Sequence, residues 1–191
     1  DGTIDADRFP RMPATLEHDF IFYEWRFNLK TGQTRERLLD DIVNSEFPVI
    51  NSAMQGLKTR YSWNVLMGRN RQPEEPRFCG LTRDDLQSGV IQSYTEGMEF
   101  WYSEAPFAPI DNWKAEDDGY LVGFAWNGRE QRSEVQVWDA KDIAHGPVAK
   151  IVLPVRVPHG FHSTWVSEAR LRQGGASRAP TPLSLRERGR G

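Results

Sequence analysis

One histidine near the end of the chain has the surroundings of a metal ligand. His162 follows an apolar, strand-like run and lies in a turn marked by Pro158 and Gly160. Neutral imidazole is the commonest metal ligand among protein side chains, and bulky neighbours at a strand end can hold it in place. A lone histidine between Phe161 and Trp165 is more often a packed core residue. Residue types alone leave both interpretations open.

Two glutamates lie in extended, apolar surroundings. Glu46 precedes Phe47 and Pro48, and Pro48 disfavours helix at the residue before it. Glu104 lies in a similar stretch, residues 103–109. Glu46 and Glu104 are 58 residues apart, as are Glu104 and His162. A step of this length is about one four-stranded unit. Equal steps would suit a radial repeat of such units, in which equivalent strand ends converge on one axis, although three points do not establish a period.

The remaining chemistry-bearing residues do not form a recognisable site. The other histidines are His18, His145 and His159, without compact ligand spacing, and Cys79 is the single cysteine. A complete metal site within this chain is therefore not indicated. The sequence contains neither a Gly-x-Ser-x-Gly nucleophile motif nor a phosphate-binding glycine loop.

The elements that must position these residues are predicted to be strands. The first is aromatic-rich and alternates, with Tyr23, Trp25 and Phe27 on one face. Turn-like clusters separate the candidate strands, and no convincing helix is found. The pattern predicts an all-β fold and leaves sandwich, barrel and propeller blades open. The candidate strands span residues 20–28, 34–39, 59–66, 77–81, 90–95, 120–126, 134–138 and 148–153.

The composition divides the 191 residues into a body, 1–167, and a basic tail, 168–191. The tail lacks apolar periodicity and is predicted to be disordered. It also lacks the interleaved aromatic residues of single-strand binders, so no nucleic-acid partner is expected. No apolar run approaches the roughly 20 residues that cross a membrane. The single cysteine agrees with a reducing compartment, and we expect a cytoplasmic protein.

Five segments in order resemble the C-terminal end of the carotenoid cleavage oxygenases. That family includes apocarotenoid oxygenases, lignostilbene dioxygenases and the retinal pigment epithelium retinoid isomerase. The resemblance covers most of residues 20–166. Its segments are Glu-Phe-Pro-Val-Ile-Asn at 46–51, Gln-Gly at 55–56 with Arg-Tyr-Ser-Trp at 60–63, Ser-Glu-Ala-Pro-Phe at 103–107, Ala-Glu-Asp-Asp-Gly at 115–119, and Val-Pro-His-Gly-Phe-His-Ser-Thr-Trp at 157–165.

The resemblance implies the C-terminal blades of a seven-bladed β-propeller with non-haem Fe(II) on its axis. Four histidines bind iron in the family, and three glutamates hydrogen-bond to some of them. By motif, His162 matches the last iron ligand, and Glu46 and Glu104 match two of the glutamates. These glutamates would serve histidines that need not lie in this chain. The position after the last histidine, usually glycine in the family, is Ser163 here.

The implied activity is oxidative cleavage of an alkene bond in a carotenoid, apocarotenoid or stilbene-like substrate by O2, giving carbonyl products. Phe47, Phe107, Phe161 and Trp165 are expected as core or tunnel wall. A full-length enzyme could contact membranes peripherally to take up its substrate. Because the resemblance reaches only the last third of such an enzyme, the other three iron histidines are expected upstream. The alternative is an inactive truncated propeller fragment or a β-rich binding module. Substrate, cleavage versus isomerisation and oligomeric state stay open.

Overall fold

The computed structural model describes residues 20–68, 78–158, 160 and 162–174. This part of the chain contains eleven strands and one α-helix, α1 at Glu168–Gly174. The strands are β1 Phe22–Phe27, β2 Thr34–Asp40, β3 Ser45–Val49, β4 Tyr61–Met67, β5 Phe78–Asp85, β6 Ile91–Tyr94, β7 Phe100–Tyr102, β8 Phe107–Pro109, β9 Gly119–Asn127, β10 Arg132–Asp139 and β11 Pro147–Val152.

The strands form three antiparallel sheets. β1 and β2 pair as a hairpin, and β3, β4, β5 and β6 form a four-stranded meander in chain order. The third sheet has the order β11-β10-β9-β7, and β8 also pairs with β9. β7 and β8 therefore occupy the same edge of β9, and residues 103–106 interrupt them. Sheets of about four antiparallel strands have the size of propeller blades.

The all-β prediction is confirmed, and each of the eight predicted strands has a counterpart among β1, β2, β4, β5, β6, β9, β10 and β11. The strand pattern missed β3, β7 and β8, which have five, three and three residues. Stretches this short carry too few residues to show an alternation of period two. Two of them also contain proline, which cannot donate a ladder hydrogen bond.

A shared apolar core joins the four-stranded and five-stranded sheets. Trp63, the largest fully buried side chain of β4, stacks on Phe107 with ring centroids 4.8 Å apart. Its indole N–H donates to the Ala140 carbonyl oxygen at 3.0 Å, so the buried polar atom is satisfied. Other members of this core are Val65, Leu81, Phe100, Tyr102, Leu121, Ala125, Trp138 and Ile143.

The loop before β9 is tied to the four-stranded sheet by charged groups. Arg83 and Asp117 form a buried ion pair at 2.7 Å, and the Arg83 guanidinium lies 4.0 Å from the Tyr61 ring centroid. The Glu116 carboxylate accepts hydrogen bonds from the backbone N–H groups of Arg60 and Tyr61 at 2.9 Å. These contacts join the two sheets at the start of β4.

A short helix corrects the expectation that the chain has no helix, whereas the disorder of the tail, residues 168–191, stays a prediction. α1 spans Glu168–Gly174, and the Ser167 hydroxyl accepts from the N–H of Arg170 at 3.4 Å. Serine before a helix and an acidic residue in the first turn are helix-start signals, which the composition of the tail obscured. Among the described residues, no helix is long and apolar enough to cross a membrane. Residues 175–191, the rest of the predicted tail, lie outside the described residues.

Candidate metal centre

His162 lies in the extended segment that follows β11. Its side chain is 78% exposed. It borders a groove of about 130 Å³ whose lining includes Trp101, Phe124 and Trp126. Among the described residues, this imidazole is exposed and is not packed inside the core.

Glu104 is the carboxylate that faces this histidine. It lies in the interruption between β7 and β8, and its side chain is only 13% exposed. The Glu104 Oε2 atom is 3.6 Å from His162 Nδ1 and accepts the backbone N–H of Ser163 at 2.6 Å. We expected Glu104 to serve a histidine that need not lie in this chain, and the structure instead brings it to His162. Nδ1 faces the carboxylate, so Nε2 is the nitrogen available to a metal.

Glu46 reaches the same region indirectly. Its Oε2 atom accepts the backbone N–H of the next residue, Phe47, at 2.8 Å. The register of β3 against β4 shifts between Glu46 and Val49, and Phe47 has a φ of 54°. This irregularity turns the Phe47 ring onto His162, with centroids 5.2 Å apart and planes at 75°. Glu46 thus stands one residue from a side chain that contacts His162.

The described residues do not form a complete metal site. In residues 20–68, 78–158, 160 and 162–174, no group of three or more histidine, cysteine, aspartate or glutamate side chains could hold a metal ion. What these residues provide is one imidazole with a carboxylate at one nitrogen. Metal-bound histidines commonly donate their second N–H to such a carboxylate. The donor chemistry therefore fits one ligand of a larger site.

The other aromatic and histidine positions have separate places. Phe107 is buried in the core on Trp63, as expected, whereas Trp165 is 46% exposed. His145 lies at the exposed end of a 3-10 turn, Ile143–His145. Phe161, His159 and His18 lie outside the described residues.

Sequence reasoning missed two residues of this region. It took Phe47 for a wall or core residue and gave no role to Ser163, although both contact the histidine–carboxylate pair. The phenylalanine before Pro48 and the serine in place of the family's usual glycine were the available signals.

Blade-sized antiparallel sheets with a histidine and a carboxylate at their strand ends are typical of β-propeller blades that carry a candidate metal ligand. The family model described as retinal pigment epithelial membrane protein, RPE65, matches residues 4–167. The chain belongs to this family, which includes the carotenoid cleavage oxygenases.

Curated relatives are about one third identical to the chain over the aligned residues. The carotenoid 9,10(9',10')-cleavage dioxygenase of Crocus sativus is 34% identical over 160 residues, covering 78% of this chain and 29% of the relative. The carotenoid cleavage oxygenase of Mycobacterium tuberculosis is 30% identical over 147 residues, covering 74% of this chain and 28% of the relative. The chain thus spans under a third of the length of these relatives.

Solved structures show the same fold. Cobalt-substituted Synechocystis apocarotenoid oxygenase matches with a TM-score of 0.68 at 22% identity, over 76% of this chain and 30% of that one. A chimera of the apocarotenoid oxygenase and RPE65 matches with a TM-score of 0.67 at 21% identity and the same coverage. The assignment of the described sheets to propeller blades is confirmed at the level of the fold.

Proposed function

We propose that these residues belong to a non-haem Fe(II) dioxygenase that cleaves an alkene double bond of a carotenoid, apocarotenoid or stilbene-like substrate. The observation that carries the proposal is the 3.6 Å approach of Glu104 Oε2 to His162 Nδ1, which leaves Nε2 for a metal. Family membership and the names of the relatives support the reaction class. The cobalt-substituted relative supports a metal in the fold.

The residues of this chain have distinct parts in that site. His162 binds the metal through Nε2. Glu104 fixes the tautomer and ring plane of His162 and raises its basicity as a ligand. Phe47 packs against the imidazole and limits its rotation. Glu46 accepts a hydrogen bond from a ligand histidine that need not lie in this chain.

Bound Fe(II) supplies activation of O2 beside the alkene, which is chemistry that the side chains cannot supply. In the net reaction one carbon–carbon double bond and O2 become two carbonyl groups, so no external reductant is needed. Four neutral imidazoles leave the metal charge uncompensated, and the nearby glutamates offset it.

The second candidate is a chain without activity, either a truncated propeller fragment or a β-rich binding module. The exposure of His162 and the lack of a three-donor group among the described residues favour it for the 191-residue chain by itself. Metal affinity depends on several converging ligands. We therefore expect negligible iron in the chain as purified.

A chimera tests the proposal. Residues 20–167 replace the matching part of the Synechocystis apocarotenoid oxygenase, and iron content and β-apocarotenal cleavage are measured. We expect near-stoichiometric iron and turnover, both lost in His162→Ala. Glu46→Gln and Glu104→Gln should lower metal affinity or activity by roughly 10- to 100-fold. The matched control is His145→Ala, an exposed histidine without a proposed ligand role. Full iron occupancy in the His162→Ala chimera would return His162 to a structural residue.

The cytoplasmic location and the peripheral membrane contact stay predictions. The described structure adds that Cys79 is buried and that burial raises the pKa of its thiol. Burial and a raised pKa both lower the reactivity of a thiol.

A further inference from the structure

Ser163, the residue after His162, makes two hydrogen bonds to Glu104, one to its carboxylate and one to its backbone carbonyl. The Ser163 N–H donates to Glu104 Oε2 at 2.6 Å, and the Ser163 hydroxyl donates to the Glu104 carbonyl oxygen at 3.0 Å. The oxygen held by the N–H is the same Oε2 atom that faces His162 Nδ1 at 3.6 Å. One residue therefore fixes both where the carboxylate lies and how the histidine segment sits against it.

We infer that Ser163 is a positioning residue for His162, an inference that rests on the proposed function of His162 as a metal ligand. Glycine at this position would keep the N–H bond to Oε2 and lose the hydroxyl bond. The hydroxyl bond joins segments 59 residues apart and limits sliding of residues 162–163 along Glu104. With the segment fixed, Oε2 stays on the Nδ1 side of the ring and keeps the proton there.

The position of the proton matters because only the unprotonated nitrogen can bind a metal. Which imidazole nitrogen is protonated is set by the hydrogen bond that the other makes. A carboxylate held near Nδ1 selects the Nδ1–H tautomer and leaves the Nε2 lone pair free. The 3.6 Å separation is longer than a hydrogen bond, so the carboxylate acts on the ring through its negative charge, which favours the proton on the nearer nitrogen, Nδ1.

Ser103 provides a matched control. Its hydroxyl donates to the same Glu104 carbonyl oxygen at 2.8 Å, but it contacts β9 through the Phe124 N–H rather than the histidine segment. Removing either hydroxyl deletes one hydrogen bond to one acceptor atom. Only the Ser163 change loosens His162.

The test is the tautomer of His162 in the full chain, read from the ring nitrogen shifts of protein labelled with ¹⁵N-histidine at about pH 8.5, where imidazole is neutral. His162→Gln assigns the signal. We expect mainly the Nδ1–H form in the parent chain and in Ser163→Thr, which keeps the hydroxyl. Ser163→Ala and Ser163→Gly should shift the tautomer ratio roughly 5-fold toward Nε2–H, the value of one net hydrogen bond. Ser103→Ala should leave the ratio unchanged.

Two results would overturn the inference: an unchanged ratio in Ser163→Ala, or an equal shift in Ser103→Ala. Unfolded variants are recognised by loss of the dispersed backbone amide spectrum. If Ser163→Ala and Ser163→Gly unfold, Ser163→Thr decides. A tautomer ratio like that of the parent supports the role of the hydroxyl group, and a shifted ratio excludes that role. The experiment contains no metal. A chimera without iron would thus contradict the proposed function and leave the tautomer measurement unaffected. An unchanged tautomer ratio in Ser163→Ala would contradict the role of Ser163 and leave the proposed function unaffected.

Discussion

Phe47 presents its ring edge-on to the imidazole of His162 from a backbone conformation that is unusual for a side chain. Its φ is 54°, in the left-handed region that favours glycine. The Glu46 carboxylate accepts the Phe47 N–H, and the ring also packs on Phe78 with centroids 5.2 Å apart. Side-chain contacts thus hold a strained residue where it touches the candidate ligand, an arrangement typical of functional sites.

The strained backbone of Phe47 predicts that glycine is less destabilising than alanine at this position, the reverse of the usual order. Both Phe47→Ala and Phe47→Gly lose the ring contacts and should lower the free energy of unfolding. Because the left-handed conformation costs an L-residue about 1–2 kcal/mol, we expect Phe47→Gly to be the more stable of the two by ~1 kcal/mol. Urea denaturation followed by tryptophan fluorescence measures the difference. A more stable alanine variant would show that the backbone of residue 47 is not strained.

The buried pair Arg83–Asp117 predicts a large effect from a single truncation. Removing one partner leaves an uncompensated buried charge, so Asp117→Ala should lower the free energy of unfolding by about 3–5 kcal/mol. The exposed pair Arg129–Glu99 is the control, and Glu99→Gln should have a much smaller effect because water screens both charges. Similar losses in both variants would mean that solvent reaches Arg83.

Asp84 predicts a specific pH dependence. Burial, and then the nearby Asp40 carboxylate, raise the pKa of Asp84 from 3.8 to about 7. Between pH 4 and 7 the folded state therefore binds more protons than the unfolded state, so this group lowers stability as the pH rises through that window. Asp84→Asn should remove a loss on the order of 4 kcal/mol at pH 8 and change the stability little at pH 4.

The neighbouring residue provides a control of opposite sign. The Arg60 guanidinium holds the pKa of Asp85 well below its usual range, so Asp85→Asn should destabilise at pH 8. Urea titrations of both variants at pH 4 and pH 8 separate the two effects. The prediction for Asp84 is wrong if its asparagine variant keeps the parent slope of stability against pH.

One face of the five-stranded sheet predicts self-association of the 191-residue chain. Phe124, Val135 and Ile151 are aligned across β9, β10 and β11, and Tyr120 lies on the same face. Ile151 is 53% exposed and Tyr120 41%. Exposed apolar patches on an edge sheet favour association.

Light scattering after size-exclusion chromatography tests that association. The parent chain should form larger species as its concentration rises. Tyr120→Lys with Ile151→Lys should be monomeric and gives a soluble background for the spectroscopic and stability measurements. Ile151→Val keeps the face apolar and should behave as the parent. A parent chain that stays monomeric at all concentrations would contradict the expectation.

Sequence patterns predicted the parts of this fold that are local. Alternation in the sequence identified β9, whose buried and less buried residues alternate in the structure. Successive side chains of a strand point to opposite faces of the sheet, so the pattern is visible in the sequence. The family resemblance singled out Glu46, Glu104 and His162, and the structure places the last two together. It did not indicate that Ser163 joins them, since that contact depends on how β8 to β11 return the chain to Glu104. The short helix α1 was missed because seven residues hold too few periods.

The hydrogen bonds between Glu104 and Ser163 close a loop of 59 residues. A flexible loop of that length would oppose closure through its entropy. Here β8 to β11 lie between the two residues and are already paired, so the sheet brings the ends together. Docking of the histidine segment should therefore follow formation of the sheet in time. Substitutions at Ser163 would then act mainly on the unfolding rate, and the folding rate would stay close to that of the parent chain.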